Sequence, residues 1–228
     1  MKRIGVIGGM TWESTLVYYQ MLNEYVNKQL GDYHSADCLI YNVNFQDIER
    51  YQSKGRWDQV DRLLSHAAVV LEGGGAKSIV IASNTGHKVA ESIQRHVKIP
   101  LLHIVDPLKE ALDEAQISEV GLLGTTFTME DPFYKDRLEA EGFRVIVPDE
   151  RDRQTVNDVI FDELYKGHIT ETGKYAVLDI IEKLTAQGAE GIVLGNAGLG
   201  RLVKQNDLLA PVFDTAALHT KKAVDLSL

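Results

Sequence analysis

Residues 77–88 read KSIVIASNTGHK: four apolar residues, Ile79, Val80, Ile81 and Ala82, empty into Ser83, Asn84 and Thr85, with His87 two positions further on. The apolar run is too short for a helix and β-branched enough to be a buried strand. In an open α/β sheet, ligands sit just beyond the carboxyl ends of the strands. Three small polar side chains are therefore placed where a substrate would lie. The plainer use of the same side chains is to cap the helix that follows, and locally both readings stand.

A second stretch sharpens the first. Residues 185–198, TAQGAEGIVLGNAG, repeat the design of residues 71–86, LEGGGAKSIVIASNTG. In each, a helix end reaches a Gly-Ala pair, passes one charged residue and enters an apolar strand that opens onto a small polar loop. The earlier strands pair up as well, KRIGVIGGMT (2–11) with EVGLLGTTFT (119–128). Gly8 lies 75 positions before Ser83, and Gly124 lies 72 before Asn196. Two matched pairs at nearly equal spacing point to a duplicated half. Two similar halves related by a pseudo-dyad are expected to aim their polar loops at one shared cleft.

Composition sets the bounds. A chain of 228 residues, 44% apolar and 25% charged, suits one large globular domain or two of about 100 residues. A net charge of −9 argues against a general nucleic-acid surface, which needs clustered Lys and Arg. Met1-Lys2-Arg3 leads straight into a strand without the apolar core of a signal peptide, and no run approaches the roughly 20 apolar residues of a membrane span. The lone cysteine, Cys38, excludes an internal disulfide and fits a reducing cytoplasm.

Taken in order, 4–8 is a short strand and Gly8-Gly9-Met10-Thr11 the turn before a helix starting at Trp12. The turn lacks the GxGxxG order of a dinucleotide fingerprint, and no P-loop lysine follows. Residues 36–43 read as a second strand with Cys38 as a small buried filler, and 44–55 as a polar loop. Val60, Leu63, Leu64, Ala67, Ala68 and Leu71 recur with a helical period. Residues 100–105 read as a strand leading into the second half. Residues 149–158 read as a polar stretch running into a helix that ends near Gly167. The strand 212–214 and the helix 216–226 are expected to return to the first half. Alternating strands and helices give an α/β fold with two pseudo-symmetric, doubly wound parallel-sheet domains and the site in the cleft between them. Their expected extents are 1–103 plus 212–228 for the first domain and 104–211 for the second.

The seven histidines are scattered, without an HxxxH pair or cysteine partners, so no metal site is expected. No GxSxG elbow is present. His87 follows Ser83 by four residues and could share a helix face with it, either as a Ser–His pair or as a structural or substrate-orienting side chain.

The opening IGVIGGMTWEST (4–15) resembles the start of the aspartate/glutamate racemase family. Ser83-Asn84-Thr85-Gly86-His87 is similar to that family's first catalytic loop. Gly191 to Gly195, the ending Pro211-Val212-Phe213-Asp214-Thr215-Ala216, Gly124-Thr125 with Thr128-Met129, and Phe161 to Leu164 with Gly167 fit it too, so the resemblance covers essentially the whole chain. It is closest to the branch acting on aspartate and glutamate. The resemblance implies racemisation without PLP, metal or other cofactor, in which one residue removes the Cα proton and a counterpart delivers one to the opposite face. Both are usually cysteines, whose thiol pKa of about 8.5 can be tuned toward the working pH. It also implies that Met10, Gln52, Ser83, Asn84, Thr85 and Ala197 line the ligand site, with Asn84, Thr85 and backbone N–H groups gripping an α-carboxylate. A cytoplasmic homodimer acting on a small amino acid, with no nucleic acid or membrane partner, completes the picture.

The chain departs from the family at the proton-transfer positions. The first is Ser83; some relatives carry threonine there. The second is Asn196, followed by Ala197 and Gly198 where Thr and Glu are expected. An amide has no usable proton-transfer pKa, so the two-thiol mechanism is not available. Where some relatives place a lysine two residues before the glycine matching Gly167, this chain has Tyr165, with Lys166 displaced by one. Two functions follow from the sequence: a racemase-type enzyme in which Ser83, aided by His87 or water, carries the proton chemistry, or a non-catalytic amino-acid or dicarboxylate-binding protein on a racemase fold.

Overall fold

In the computed structural model of residues 1–228, β1 (Ile4–Gly8) is buried along its whole length. A strand covered on both faces must be apolar throughout rather than alternating, and IGVIG meets that need. It pairs in parallel with β2 (Cys38–Asn42) on one side and β3 (Ser78–Ile81) on the other. With β4 (Leu101–Leu102) beyond β3, the sheet order is β2-β1-β3-β4. The connections are α1 (Trp12–Leu30), α2 (Phe45–Gln52), α3 (Trp57–Gly73) and, after a 3₁₀ turn at Thr85–Val89, α4 (Ala90–Gln94). The apolar stripe of α3, from Val60 through Leu64, Ala67 and Ala68 to Leu71, joins Ile7, Ile79, Ile81 and Ile93 in one buried core. Each large side chain so buried stabilises the fold by about 1.5–3 kcal/mol.

The second sheet repeats this plan. Its order is β6-β5-β7-β8, from β5 (Glu119–Gly124), β6 (Arg144–Ile146), β7 (Gly191–Gly195) and β8 (Val212–Asp214), all parallel. Around it run α5 (Val105–Glu114), α6 (Thr126–Glu130), α7 (Pro132–Ala140), α8 (Glu150–Asp158), α9 (Glu171–Ala186) and α10 (Leu199–Leu202), before α11 (Thr215–Ser227) ends the chain. The two sheets place matched strands in matched positions, as a duplication requires. The core of the second sheet gathers Leu123, Val177, Ile180, Ile181, Leu184, Ile192 and Leu194. No helix is long and apolar enough to cross a membrane.

The chain falls into two compact units, Met1–Ile104 with His219–Leu228, and Val105–Leu218. The second crossing therefore comes seven residues later than 212, where the sequence pattern put it. β8 stays with the second sheet because Ile192 N donates to Pro211 O and Val212 to Asp214 run in register with β7. Only from His219 onward does α11 count with the first unit.

Several local expectations are corrected. Residues 45–52 form a helix rather than a polar loop. Asn44 caps it by accepting from Gln46 N, and the fully buried Ile48 anchors it, with half-buried Phe45 and Tyr51 packed on the same core. The polar stretch after Asp149 is itself helical, capped by the Asp149 side chain and anchored by Val156. It runs on into a π-helical turn at Val159–Glu163. Residues 100–105 supply only the two-residue β4, since α5 already begins at Val105. Cys38 sits on an edge strand and is half-buried rather than enclosed; partial burial pushes its thiol pKa up, with Asp37 adding to the effect, which disfavours the thiolate.

Candidate functional site

In each sheet the chain order reverses at the centre: β1 connects outward to β2 and β3 outward to β4, as β5 does to β6 and β7 to β8. Open α/β sheets bind ligands at the carboxyl ends of the strands at this switch point. In the first unit those ends carry Gly8-Gly9-Met10-Thr11 and Ser83-Asn84-Thr85; in the second they carry Thr125 and Asn196-Ala197-Gly198.

The first pair of loops is tightly built. Gly9 has φ +90°, and a side chain there would run into the main chain of Val43, so only glycine fits. The Thr15 hydroxyl accepts from Gly9 N at 2.7 Å and donates to Thr11 O at 2.9 Å, tying the turn to the first turn of α1. Thr15→Val removes both bonds at nearly constant volume and leaves a buried N–H unpaired. It is expected to destabilise the protein by about 2 kcal/mol, read as a lower urea midpoint at unchanged m value.

Main-chain pairing from Ile7 O to Ala82 N carries β1 and β3 side by side up to their loops. There Met10, 3% exposed, packs on Gly86: a Cβ added to Gly86 would meet the Met10 thioether at 3.4 Å. Ser83 does cap the turn that follows, its Oγ accepting from Gly86 N at 3.2 Å, whereas the Asn84 side chain takes no part in capping. Asn84 and Thr85 are nevertheless buried polar residues. The structure thus brings Met10, Ser83, Asn84 and Thr85 together. Gln52 ends α2 half-buried, and no hydrogen bond ties its side chain to that loop.

His87 differs from the expected hydroxyl contact. Its Nδ1 donates to the main-chain carbonyl of Ser83 at 2.7 Å, since a carbonyl only accepts. The ring stands edge-on to His103 at 4.8 Å and to His219 at 5.4 Å between centroids. His219 is fully enclosed, bonded through Nδ1 to Tyr18 Oη at 3.0 Å and through Nε2 to Leu102 O at 2.9 Å. Burial, with a smaller contribution from His87, lowers its pKa to about 3. Behind Ser83 therefore lies a buried imidazole cluster, which sequence reading missed because His219 lies more than 100 residues from His87 and His103.

In the second unit Asn196 has both ends of its amide engaged. Oδ1 accepts from Gly198 N at 2.8 Å, and Nδ2 donates to Tyr165 Oη at 3.0 Å. Gly198 packs on Leu164, where a Cβ would come within 3.0 Å. Tyr165 follows the π turn and lies within a 3₁₀ turn at Leu164–Lys166 that Gly167 closes in the left-handed conformation. Asn196 is thus a structural pin. Ala197, 5% exposed, presents no functional group.

Two further polar side chains at the first switch point were not singled out from sequence. Thr11 precedes α1 without capping it, and Glu13 lies in its first turn, yet they are only 3% and 7% exposed. Thr11 Oγ1 and Glu13 Oε2 are buried without a hydrogen-bond partner. A buried glutamate is uncommon enough to be a signal, but burial is not visible in sequence. Elsewhere, in a groove lined by Thr126, Glu130, Asp149, Arg151, Arg153 and Gln154, Arg153 pairs with Glu130 and donates to Pro148 O. No group of three or more His, Cys, Asp or Glu side chains is placed to hold a metal ion.

Two parallel α/β units with small polar loops at their switch points define a class of small-molecule-binding proteins. The match narrows the class: the Asp/Glu/hydantoin racemase family covers residues 7–223, and the chain belongs to that family. It is 26% identical over 223 residues to the broad specificity amino-acid racemase RacX of Bacillus subtilis (strain 168), covering 97% of this chain and 96% of that one. A structure of an Asp/Glu racemase candidate from Yersinia pestis is 46% identical, with a TM-score of 0.91 over 100% of this chain and 99% of that one. An aspartate racemase homologue from Pyrococcus horikoshii OT3 is 37% identical, with a TM-score of 0.88 over the same shares.

Proposed function

We propose that this chain binds an α-amino dicarboxylic acid of the aspartate or glutamate type and exchanges the proton at its Cα, by a route other than the two-thiol pair. What carries the reading is the loop Ser83-Asn84-Thr85, built at a switch point beside Met10 and held from behind by His87. In this reading Asn84, Thr85 and neighbouring N–H groups take the α-carboxylate. Ser83, or water it holds, stands at the proton-transfer position. The amino-acid racemase RacX and the aspartate racemase homologue support the ligand class.

A specific observation favours a second reading, an amino-acid-binding protein without turnover. Asn196, at the position of the second thiol, is held by Gly198 N and Tyr165, and Ala197 and Gly198 stand where relatives have Thr and Glu. Incubating the protein in D₂O with each enantiomer of aspartate and glutamate, followed by proton NMR and chiral analysis, decides between them. Deuterium at Cα with inversion is racemisation, and deuterium without inversion is a single working base. Binding by calorimetry with neither establishes the second reading.

A further inference from the structure

We propose that β2 is the surface on which two copies of this chain meet, pairing antiparallel, edge to edge, about a two-fold axis at Ile40. Each sheet has two edge strands, β2 and β4 in one and β6 and β8 in the other. An open strand edge invites another chain, and natural folds blunt it with short length, charge or proline. β4 has two residues, β6 has three beginning with Arg144, and β8 has three ending in Asp214. β2, reading CLIYN, has five residues and neither a charge nor a proline. Ile40, at its centre, is 39% exposed.

The main chain of β2 has groups to offer. Ile4 N donates to Asp37 O and Val43 N donates to Gly8 O, so Asp37 and Val43, and with them Leu39 and Tyr41, turn toward β1. Alternation leaves the N–H and C=O of Cys38, Ile40 and Asn42 facing outward, where no other part of the chain takes them. Three outward residues at alternate positions make the edge complementary to itself, as a two-fold interface requires. With Ile40 opposite its own copy, Cys38 comes opposite the other copy's Asn42, and Asn42 opposite its Cys38. Each of these pairs exchanges two main-chain hydrogen bonds, so every outward group is satisfied in both copies. A slip of one residue would set outward groups against inward ones.

Side chains around the edge suit the same partner. His66 of α3 stands edge-on to Tyr41 at 6.0 Å between centroids, and a Cβ added to Gly74 would meet the Leu39 side chain. The flank of α3 from His66 to Gly74 therefore runs beside β2, and Val70, midway along it, is 44% exposed. Val70 and Tyr41 on one side of the sheet, and Ile40 on the other, offer apolar surface for a second copy to cover. Charge does not oppose the contact. Asp37, just before the strand, is already paired with Arg3 at 2.8 Å. A chain of net charge −9 thus meets its copy along a neutral stretch.

Sedimentation equilibrium of the full chain is expected to show a dimer at micromolar concentration. Ile40→Lys sets two like charges face to face at the axis and is expected to weaken association at least about a hundredfold, with the circular dichroism of the parent retained. A second variant reads the register. Directly opposed residues of such a pair have Cα atoms about 5.5 Å apart, within reach of a disulfide. In a Cys38→Ser background, Ile40→Cys should therefore link two copies on mild oxidation. The parent should not link, since Cys38 lies opposite Asn42. Should Ile40→Lys fail to fold, the link at position 40 decides alone. A parent that stays monomeric at about 100 µM would overturn the inference. So would a dimer that survives Ile40→Lys and gives no link at position 40.

Discussion

A chain carrying Ser83→Cys and Asn196→Cys together is expected to racemise aspartate or glutamate at least about a hundredfold faster than the unaltered chain. A serine hydroxyl is a far weaker acid than a thiol, and the carboxamide of Asn196 neither gives nor takes a proton near neutrality. A thiol with a reference pKa of about 8.5 does both once its surroundings favour the thiolate. Positioned general acid–base groups contribute about 10²–10⁴-fold each, so restoring both has room for a large effect. Either single substitution should leave one face of Cα served, giving deuterium exchange from one enantiomer without matching inversion. The double variant also has a structural cost: Asn196→Cys releases Gly198 N and Tyr165 Oη. Two such bonds amount to about 2 kcal/mol, visible as a lower melting temperature. Chiral analysis over time reads the outcome. A double variant that melts cooperatively, binds aspartate and still racemises no faster than its parent would end the idea that these loops are the proton-transfer positions.

What could be read from sequence was what lies in short, strongly patterned runs. The strands β1, β3, β5 and β7 announce themselves because a strand covered on both faces must be apolar throughout, and small polar residues end each one. The duplication was legible for the same reason, since the two halves repeat those runs with their terminal loops. The helices α2 and α8 were not legible. α8 buries one apolar side chain, Val156, and shows no stripe, while α2 carries Phe45, Ile48 and Tyr51 three residues apart in only two turns of otherwise polar sequence; their capping residues Asn44 and Asp149 look like loop residues. The place of β8 depends on hydrogen bonds to a strand 20 residues earlier, which no local pattern records. At the site, Ser83 capping Gly86 N was readable because donor and acceptor are three residues apart. The pin from Asn196 to Tyr165 spans 31 residues, and the burial of Glu13 depends on how its loop folds. Residue type and position could be read; the partner each residue finds could not.

Acid is expected to destabilise the protein by about 3 kcal/mol between pH 6.5 and pH 4 through His219 alone. A main-chain carbonyl can only accept, so Nε2 must carry the hydrogen shared with Leu102 O, leaving Nδ1 to accept from the Tyr18 hydroxyl. The neutral ring is thus fully satisfied. A second proton would force the Tyr18 hydroxyl to turn and accept, and would place a charge in a site closed to solvent. Burial first, and the neighbouring His87 second, lower its pKa to about 3, against an ordinary value of about 6.5 in the unfolded chain. Above pH 6.5 both states are neutral at this ring and its contribution is fully present. As pH falls below 6.5 the unfolded chain takes up a proton that the folded one refuses, and stability drops by up to 1.36 kcal/mol per unit until the folded value is reached. Carboxylates add their own slope at the acid end, so the measurement is a comparison: urea unfolding of the parent and of His219→Gln at pH 7, 6, 5 and 4. Glutamine offers a donor and an acceptor but no titration, and the parent should lose about 3 kcal/mol more than the variant across that range. Identical slopes would mean that His219 is reached by water or already protonated in the folded state.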